Sequence, residues 1–236
     1  MQPAAAAQGD LPAVTSEVQR EWLARIAAEY TSAAIAHQLT LWLIQAGAPP
    51  DLIDAGLATV ADELAHSRLS HEVYTAAGGT APPAIDQTAL GLPRTSPRLE
   101  VDILRATVRV FCLGETVAVP LFAHLREHCT EPVAREALDR ILRDEVRHRD
   151  FGWDLLDWLQ SFMPDTQKLV GAELPAMLAE LISAYGPGGA DLPGADDDRA
   201  WGLAPARDYA RILERCVERD LAPRFAARHI ALPATA

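Results

Sequence analysis

Asp144-Glu145-Val146-Arg147-His148 and Asp62-Glu63-Leu64-Ala65-His66 are two copies of one pattern, an Asp followed by Glu-x-x-His, each inside a stretch of helical periodicity. Residues three apart on a helix share a face, separated by roughly 60° and ~4.5 Å along the axis. A carboxylate and an imidazole so placed can reach one metal ion. Each copy follows another helical segment with a single acid in an apolar run, Glu29 before the first and Glu115 before the second. Two lone Glu and two Glu-x-x-His make up the ligand set of a carboxylate-bridged dimetal site in a four-helix bundle.

The flanking sequence supplies the four helices. Thr15 or Ser16 can cap a first helix, which runs through Trp22, Ile26, Glu29 and Leu43 to Gly47. Pro49 and Pro50 stop it, and Asp51 opens a second helix that continues to Gly78-Gly79. The few residues between the two predict antiparallel neighbours. Residues 80–97 are Pro-rich and aperiodic, with the length of a crossover. A third helix is expected from near Pro97 to about His128. After a short turn, Pro132 sits at the first position of a fourth, ending near Gln160. Two hairpins joined by one long crossover is ferritin-like connectivity. The fold expected is therefore all-α: a flexible N-terminus over 1–14, a dimetal bundle over 15–160, and a helical extension over 161–236 packed on the bundle. In that extension, 165–185 and 204–229 read as helices, and GPGGADLPGADDDRAWG (186–202) reads as a surface loop.

The lone acids decide the chemistry. Glu29 is the only carboxylate between Trp22 and Pro50, and Glu115 the only one between Ile103 and Arg126. A carboxylate at the apolar centre of a helix costs several kcal/mol unless protonated, paired or bound to a cation. Their level matters too. Glu115 lies 14 residues before Cys129 and Glu145 lies 13 after Pro132, which puts both ~20 Å from one turn. Glu29 is 17 residues before Ala46 while Glu63 is 13 after Pro50, a mismatch of ~6 Å that sets Glu29 apart from the other five. Four carboxylates neutralise two divalent cations, and oxygen-rich donors with some imidazole suit iron or manganese.

Composition narrows the rest. A net charge of −12 opposes general binding to nucleic acid, and 49% apolar residues suffice for a core. Mean hydropathy of +0.01, no run of eighteen apolar residues and no signal-like leader lead to the expectation of a cytoplasmic protein without a membrane span. Cys112, Cys129 and Cys216 are an odd number at unrelated spacings, so buried free thiols are expected.

Glu29, Glu63-x-x-His66, Glu115 and Glu145-x-x-His148 together resemble the ferritin-like di-iron carboxylate superfamily, which includes bacterial multicomponent monooxygenases, acyl carrier protein desaturases and ribonucleotide reductase small subunits. The Asp-Glu-x-Arg-His form at 144–148 is especially similar to the monooxygenases. The resemblance covers residues 15–160. It implies two Fe ions, with Fe/Mn or Mn/Mn as variants, O₂ as co-substrate and a small organic substrate. It also implies an external electron donor such as a ferredoxin or reductase. Asp62 and Asp144 would then accept from the ligating imidazoles, with Arg147 beside them; the first copy has Ala65 where the pattern often has Arg. Gly114 and Pro120 flank Glu115 and its neighbours, and Pro120 cannot donate to the Thr116 carbonyl, so a kink or wider turn opening a substrate pocket is expected there. Ile141 stands where aryl-amine N-oxygenases carry an extra His, which disfavours that subgroup. Ferritin-like iron handling and a metal-free helical interaction module stand as the alternatives. The final helices have two roles open to them, closing the pocket or forming a homodimer interface. Tyr30, Trp22, Trp42, Trp153 and Trp158 read as packing residues, and His37, His71, His124 and His128 as surface or capping ones.

Overall fold

In the computed structural model, which describes residues 15–185 and 196–233, all the regular structure is helical. The N-terminal stretch 1–14 and the first part of the expected loop, 186–195, lie outside the described residues. Helix α1 (Ser16–Gln45) is capped by Thr15, whose Oγ1 accepts from the Val18 amide at 3.3 Å, and it stops before Gly47, which takes φ +72°. Helix α2 (Pro50–Ala76) starts on Pro50, where the missing N–H is no loss. The two are antiparallel, with Gln19 donating to the Ala77 carbonyl, Ser67 to the Ile26 carbonyl, and Thr40 against Gly56.

Helix α3 (Leu99–Glu127) and helix α4 (Pro132–Phe162) form the second hairpin. Cys112 faces Gly152, Thr116 faces Trp153 and Arg126 faces Asp139, so this pair is antiparallel as well. Helix α4 also runs antiparallel to α2, through Asp62–Arg147 and His66–Asp144. It follows that α2 and α3 point the same way, and residues 77–98 must travel the length of the helices between them. That crossover is tied down as it goes. The Ala81 amide donates to Tyr74 Oη, Gln38 exchanges two hydrogen bonds with the backbone of Leu92, and Asp102 gathers Arg94, Thr95 and Ser96.

Helix α3 is long and apolar enough to cross a membrane, but 56% of its most apolar window is buried against its neighbours. Its segment Thr107–Glu115 is π-helical. This wider turn ends at Glu115, several residues before Pro120. Opposite it, α4 comes so close that a Cβ on Gly152 would stand 2.5 Å from Phe111 Cβ and 2.8 Å from the Phe111 carbonyl carbon. Only glycine permits that approach.

Helix α5 (Thr166–Tyr185) lies along the first half of α3, held by Arg105–Glu173 at 2.6 Å. The described end of the expected surface loop is no surface loop. It forms a short helix, α6 (Asp196–Ala200), followed by a buried Trp201. Trp22 Nε1 donates to the Trp201 carbonyl, and the Ala200 carbonyl accepts from the amides of Thr130 and Glu131. The strongly polar composition of this stretch concealed one large aromatic side chain, whose burial outweighs it. The last helix, α7 (206–226), includes a π segment at Val217–Leu221 and covers α3 and α4, with Cys216 Sγ donating to the Thr116 carbonyl that Pro120 leaves free.

Buried apolar residues form two clusters. One gathers Val18, Trp22, Ile26, Val73, Leu125, Leu138 and Trp201. The other gathers Leu39, Trp42, Ile103, Phe111, Trp153, Leu156 and Phe225. Between them, where α1, α2, α3 and α4 all pass, lies a layer of buried charge.

A candidate dimetal centre

Glu29, Glu63, His66, Glu115, Glu145 and His148 all point into that layer, each buried to within 8% of full coverage. Their donor atoms form two sets, Glu29–Glu63–His66–Glu145 and Glu63–Glu115–Glu145–His148, and within each set the atoms lie within 4.8 Å of one another. Glu63 and Glu145 belong to both. Such a buried acid–imidazole cluster could hold metal ions, two of them sharing a pair of carboxylates.

The shared pair comes from α2 and α4, the helices with Glu-x-x-His. The unshared Glu29 and Glu115 come from α1 and α3 and close the two ends. Glu29 meets the cluster because α1 pairs with the His66 end of the Glu-x-x-His turn, its Oε2 being 3.7 Å from His66 Nδ1. Reckoned from His66, three residues farther along α2 than Glu63, the ~6 Å offset shrinks to ~1.5 Å.

Both imidazoles take the same posture. His66 Nδ1 faces Glu29, Glu63 and Glu145 at 3.6 to 3.7 Å, and His148 Nδ1 faces Glu63 at 3.1 Å and Glu145 at 3.5 Å. Their Nε2 atoms point outward to the two Asp, and the pairing is crossed. His66 Nε2 donates to Asp144 Oδ2 on the opposite helix at 3.2 Å, while His148 Nε2 stands 3.5 Å from Asp62 Oδ2. Asp144 therefore braces the imidazole of the other repeat, and Asp62 stands beside the imidazole of its opposite repeat without a hydrogen bond to it, an arrangement that no reading of one copy alone could show.

Three arginines close this belt from outside. Arg147 donates to Asp62 at 2.6 Å and lies 2.8 Å from Asp144. Arg140 donates to Asp62 at 3.0 Å and also to Asp144, and Arg143 donates to Asp144 at 3.3 Å. Arg140 had a legible signal, since it sits four residues before Asp144 on the same helix, whereas the adjacent Arg143 had none.

The charges show what the cluster requires. Burial pushes the Glu29 carboxyl up to about 8, against the pull of His66 and with the charges of Glu63 and Glu145 adding to the rise. Burial, then the Glu145 charge, raises Glu115 well above the usual range. For Glu63 burial also opposes ionisation, but contacts with His148 and His66 outweigh it and hold the carboxyl at about 2. Burial disfavours the His66 imidazolium, yet Glu29 and Glu63 lift it to about 10, and Asp62, Glu145 and Glu63 raise His148 further. Protons thus gather where four carboxylates leave excess negative charge. Cations of total charge +4 would displace them, returning the imidazoles to neutral donors and the acids to carboxylates.

A second observation supports the same fit. Glu63 Oε2, Glu145 Oε2, His66 Nδ1 and His148 Nδ1 are buried and have no hydrogen-bond partner. Unpaired groups of this kind cost about 1–3 kcal/mol each. Here all four face one small space and all are good metal donors.

The substrate-side residues are less concentrated. Gly114 lies within the π segment, and Pro120 lines a groove of about 510 Å³ together with Leu142, Ile212 and Cys216. None of the six donors lines that groove. Tyr30, expected to be packed, is 42% exposed, and Trp158 is only half-buried, whereas Trp22, Trp42 and Trp153 are core residues. His124 is largely covered and reaches Asp208 of α7 at 3.4 Å, a bridge rather than a surface residue.

No protein-family model, curated protein or solved structure matches the chain.

Proposed function

We propose that this chain is a ferritin-like dimetal oxidoreductase that uses O₂ to oxidise a small organic molecule, with iron, or iron and manganese, as its metals. The observation that carries the reading is the pair of overlapping four-donor sets sharing Glu63 and Glu145, with unpartnered donor atoms turned toward each other. A pair of redox-active ions held there would supply the electrons that O₂ must receive.

The protein's own part can be derived from its residues. Glu63 and Glu145 would span the two ions, Glu29 and His66 would complete one, and Glu115 and His148 the other. Six side chains leave coordination positions open, as a site that reacts with O₂ requires. Asp144 holds the His66 Nε2 proton, which leaves the Nδ1 lone pair facing inward. Asp62 is placed to do the same for His148. Burial pushes against both carboxyls, but His148 and Arg147 outweigh it at Asp62, and Arg140 and His66 at Asp144, so that both stay below the ordinary range. The apolar clusters on either side keep bulk water away, which protects an oxidising site from side reactions.

The reading is tested by loading the apoprotein anaerobically with Fe(II), measuring metal content and then admitting O₂. About two ions per chain and O₂ uptake are expected. Glu145→Ala, which removes a donor from both sets, should retain its helical circular dichroism and lose both ions and O₂ uptake. Wild-type protein that binds no iron or manganese would overturn the reading.

A further inference from the structure

The outer face of the α1–α2 hairpin is uncovered. Of the seven large apolar side chains exposed among the described residues, five lie there: Tyr30, Leu41, Ile44, Leu57 and Leu64, between 36% and 53% exposed. The middle of the face carries no charge. Glu29 is the only charged residue between Arg25 and Asp51, Asp62 and Glu63 are the only ones between Asp54 and Arg68, and all three are buried. In a chain of net charge −12, two copies repel each other over most of their surfaces, and this face is where that repulsion is least.

The stripe on α2 also matches itself. Asp54, Leu57, Ala61, Leu64 and Arg68 alternate at spacings of three and four, the seam that one helix offers to another. Exposed Ala58 and half-buried Ala65 sit beside it. Laid antiparallel on a second copy about Ala61, the seam brings Leu57 against Ala65, Leu64 against Ala58, and Asp54 against Arg68. Large meets small and acid meets base, each twice by symmetry, as an isologous contact requires. We propose that this face is the interface of a two-fold homodimer, with α2 antiparallel to α2 of the second copy across Ala61. Tyr30, Leu41 and Ile44 of α1 close over its flanks. The interface is thus assigned to the first hairpin and not to the final helices. It does not depend on what the metals do.

Light scattering coupled to size exclusion tests the assignment. Wild-type protein should run at twice the 25.5 kDa chain mass. Leu57→Glu and Leu64→Glu should each run as single chains with unchanged helical circular dichroism. The charge pair supplies a second test that does not disturb apolar packing. Asp54→Arg alone and Arg68→Asp alone should each weaken association about tenfold, because two attractive pairs become repulsive. Combining Asp54→Arg with Arg68→Asp should restore it. Wild type that stays at single-chain mass up to roughly 100 µM would overturn the proposal, since even a weak interface assembles there. So would a combined variant no tighter than the single ones, or a monomer whose apolar face instead binds neutral lipid vesicles.

Discussion

Seen from the interior, the α1–α2 and α3–α4 hairpins are equivalent, each presenting one lone Glu and one Glu-x-x-His to the same layer. Seen from outside they share little. The outer face of α4 carries Glu136, Asp139, Arg143, Arg147, Asp150, Asp154 and Asp157, all exposed, whereas that of α1–α2 is uncharged and apolar over its middle. Their helices differ too: α1 is regular throughout, while α3 departs into a π segment that ends on its donor, Glu115. The contrast separates two constraints. The proposed dimetal chemistry would demand the same residues in both hairpins. Everything else depends on what each hairpin packs against: α3 is enclosed by α4, α5 and α7, while the outside of α1–α2 meets no described element.

The most severe test of interior equivalence is to remove one end donor at a time. Glu29→Gln and Glu115→Gln should each lower the metal content from about two ions per chain to about one, by elemental analysis after anaerobic loading. If one variant keeps both ions, the hairpins are not equivalent.

Backbone contact should reveal the asymmetry. Gly152→Ala forces a Cβ onto the Phe111 backbone, which a helix cannot readily move, and should cost about 3 kcal/mol in urea unfolding. Gly56→Ala meets side chains and no backbone: Thr40 Oγ1 at 2.4 Å and Phe151 Cζ at 3.4 Å. Rotation of Thr40 and the better helix propensity of Ala should hold that loss to about 1 kcal/mol or less. Equal losses would mean that the second hairpin is no tighter than the first.

The crossed bracing makes a subtler prediction. Asp144→Asn should weaken metal binding about 10- to 100-fold through His66, which lies in the other repeat. In a double-mutant cycle Asp144→Asn should couple more strongly to His66→Ala than to His148→Ala, which it reaches only through the shared arginines and Asp62. The reverse pattern would mean that each repeat braces its own imidazole.

The smallest effect concerns the crossover joining the hairpins. Hydrogen bonds to Asp102 from Thr95, Arg94 and Ser96 outweigh its burial and depress its carboxyl. A group depressed in the folded state stabilises above its unfolded value, near 4, and loses that contribution as pH falls through its lower folded value. Asp102→Asn should therefore cost about 1–2 kcal/mol at pH 7. The gap from wild type should close as pH falls below about 4 and stay constant between pH 6 and 8, in thermal melts across that range.

Much of this organisation was legible in the chain. The breaks at Gly47, Pro49 and Pro132, the 3.6-residue periodicity and the aperiodic 80–97 stretch located the four helices, because capping and backbone chemistry are local. The six donors stood out because a carboxylate in an apolar run has few physical excuses. The resemblance drawn from those donors yielded the two Asp, but their crossing was not legible, since it depends on how far α2 slides against α4. Nor was the burial of Trp201, which competes with a loop composition that points outward.

By itself the sequence determined that four helices would form and that each pair would bring one Glu and one Glu-x-x-His inward. Only tertiary packing decided which imidazole meets which Asp, that the wider turn expected near Gly114 and Pro120 would be a π segment over Thr107–Glu115 against Gly152, and that Glu29 would line up with His66. Each of those depends on the axial offset between neighbouring helices. That offset is set by the summed fit of many side chains, and no single residue's type encodes it.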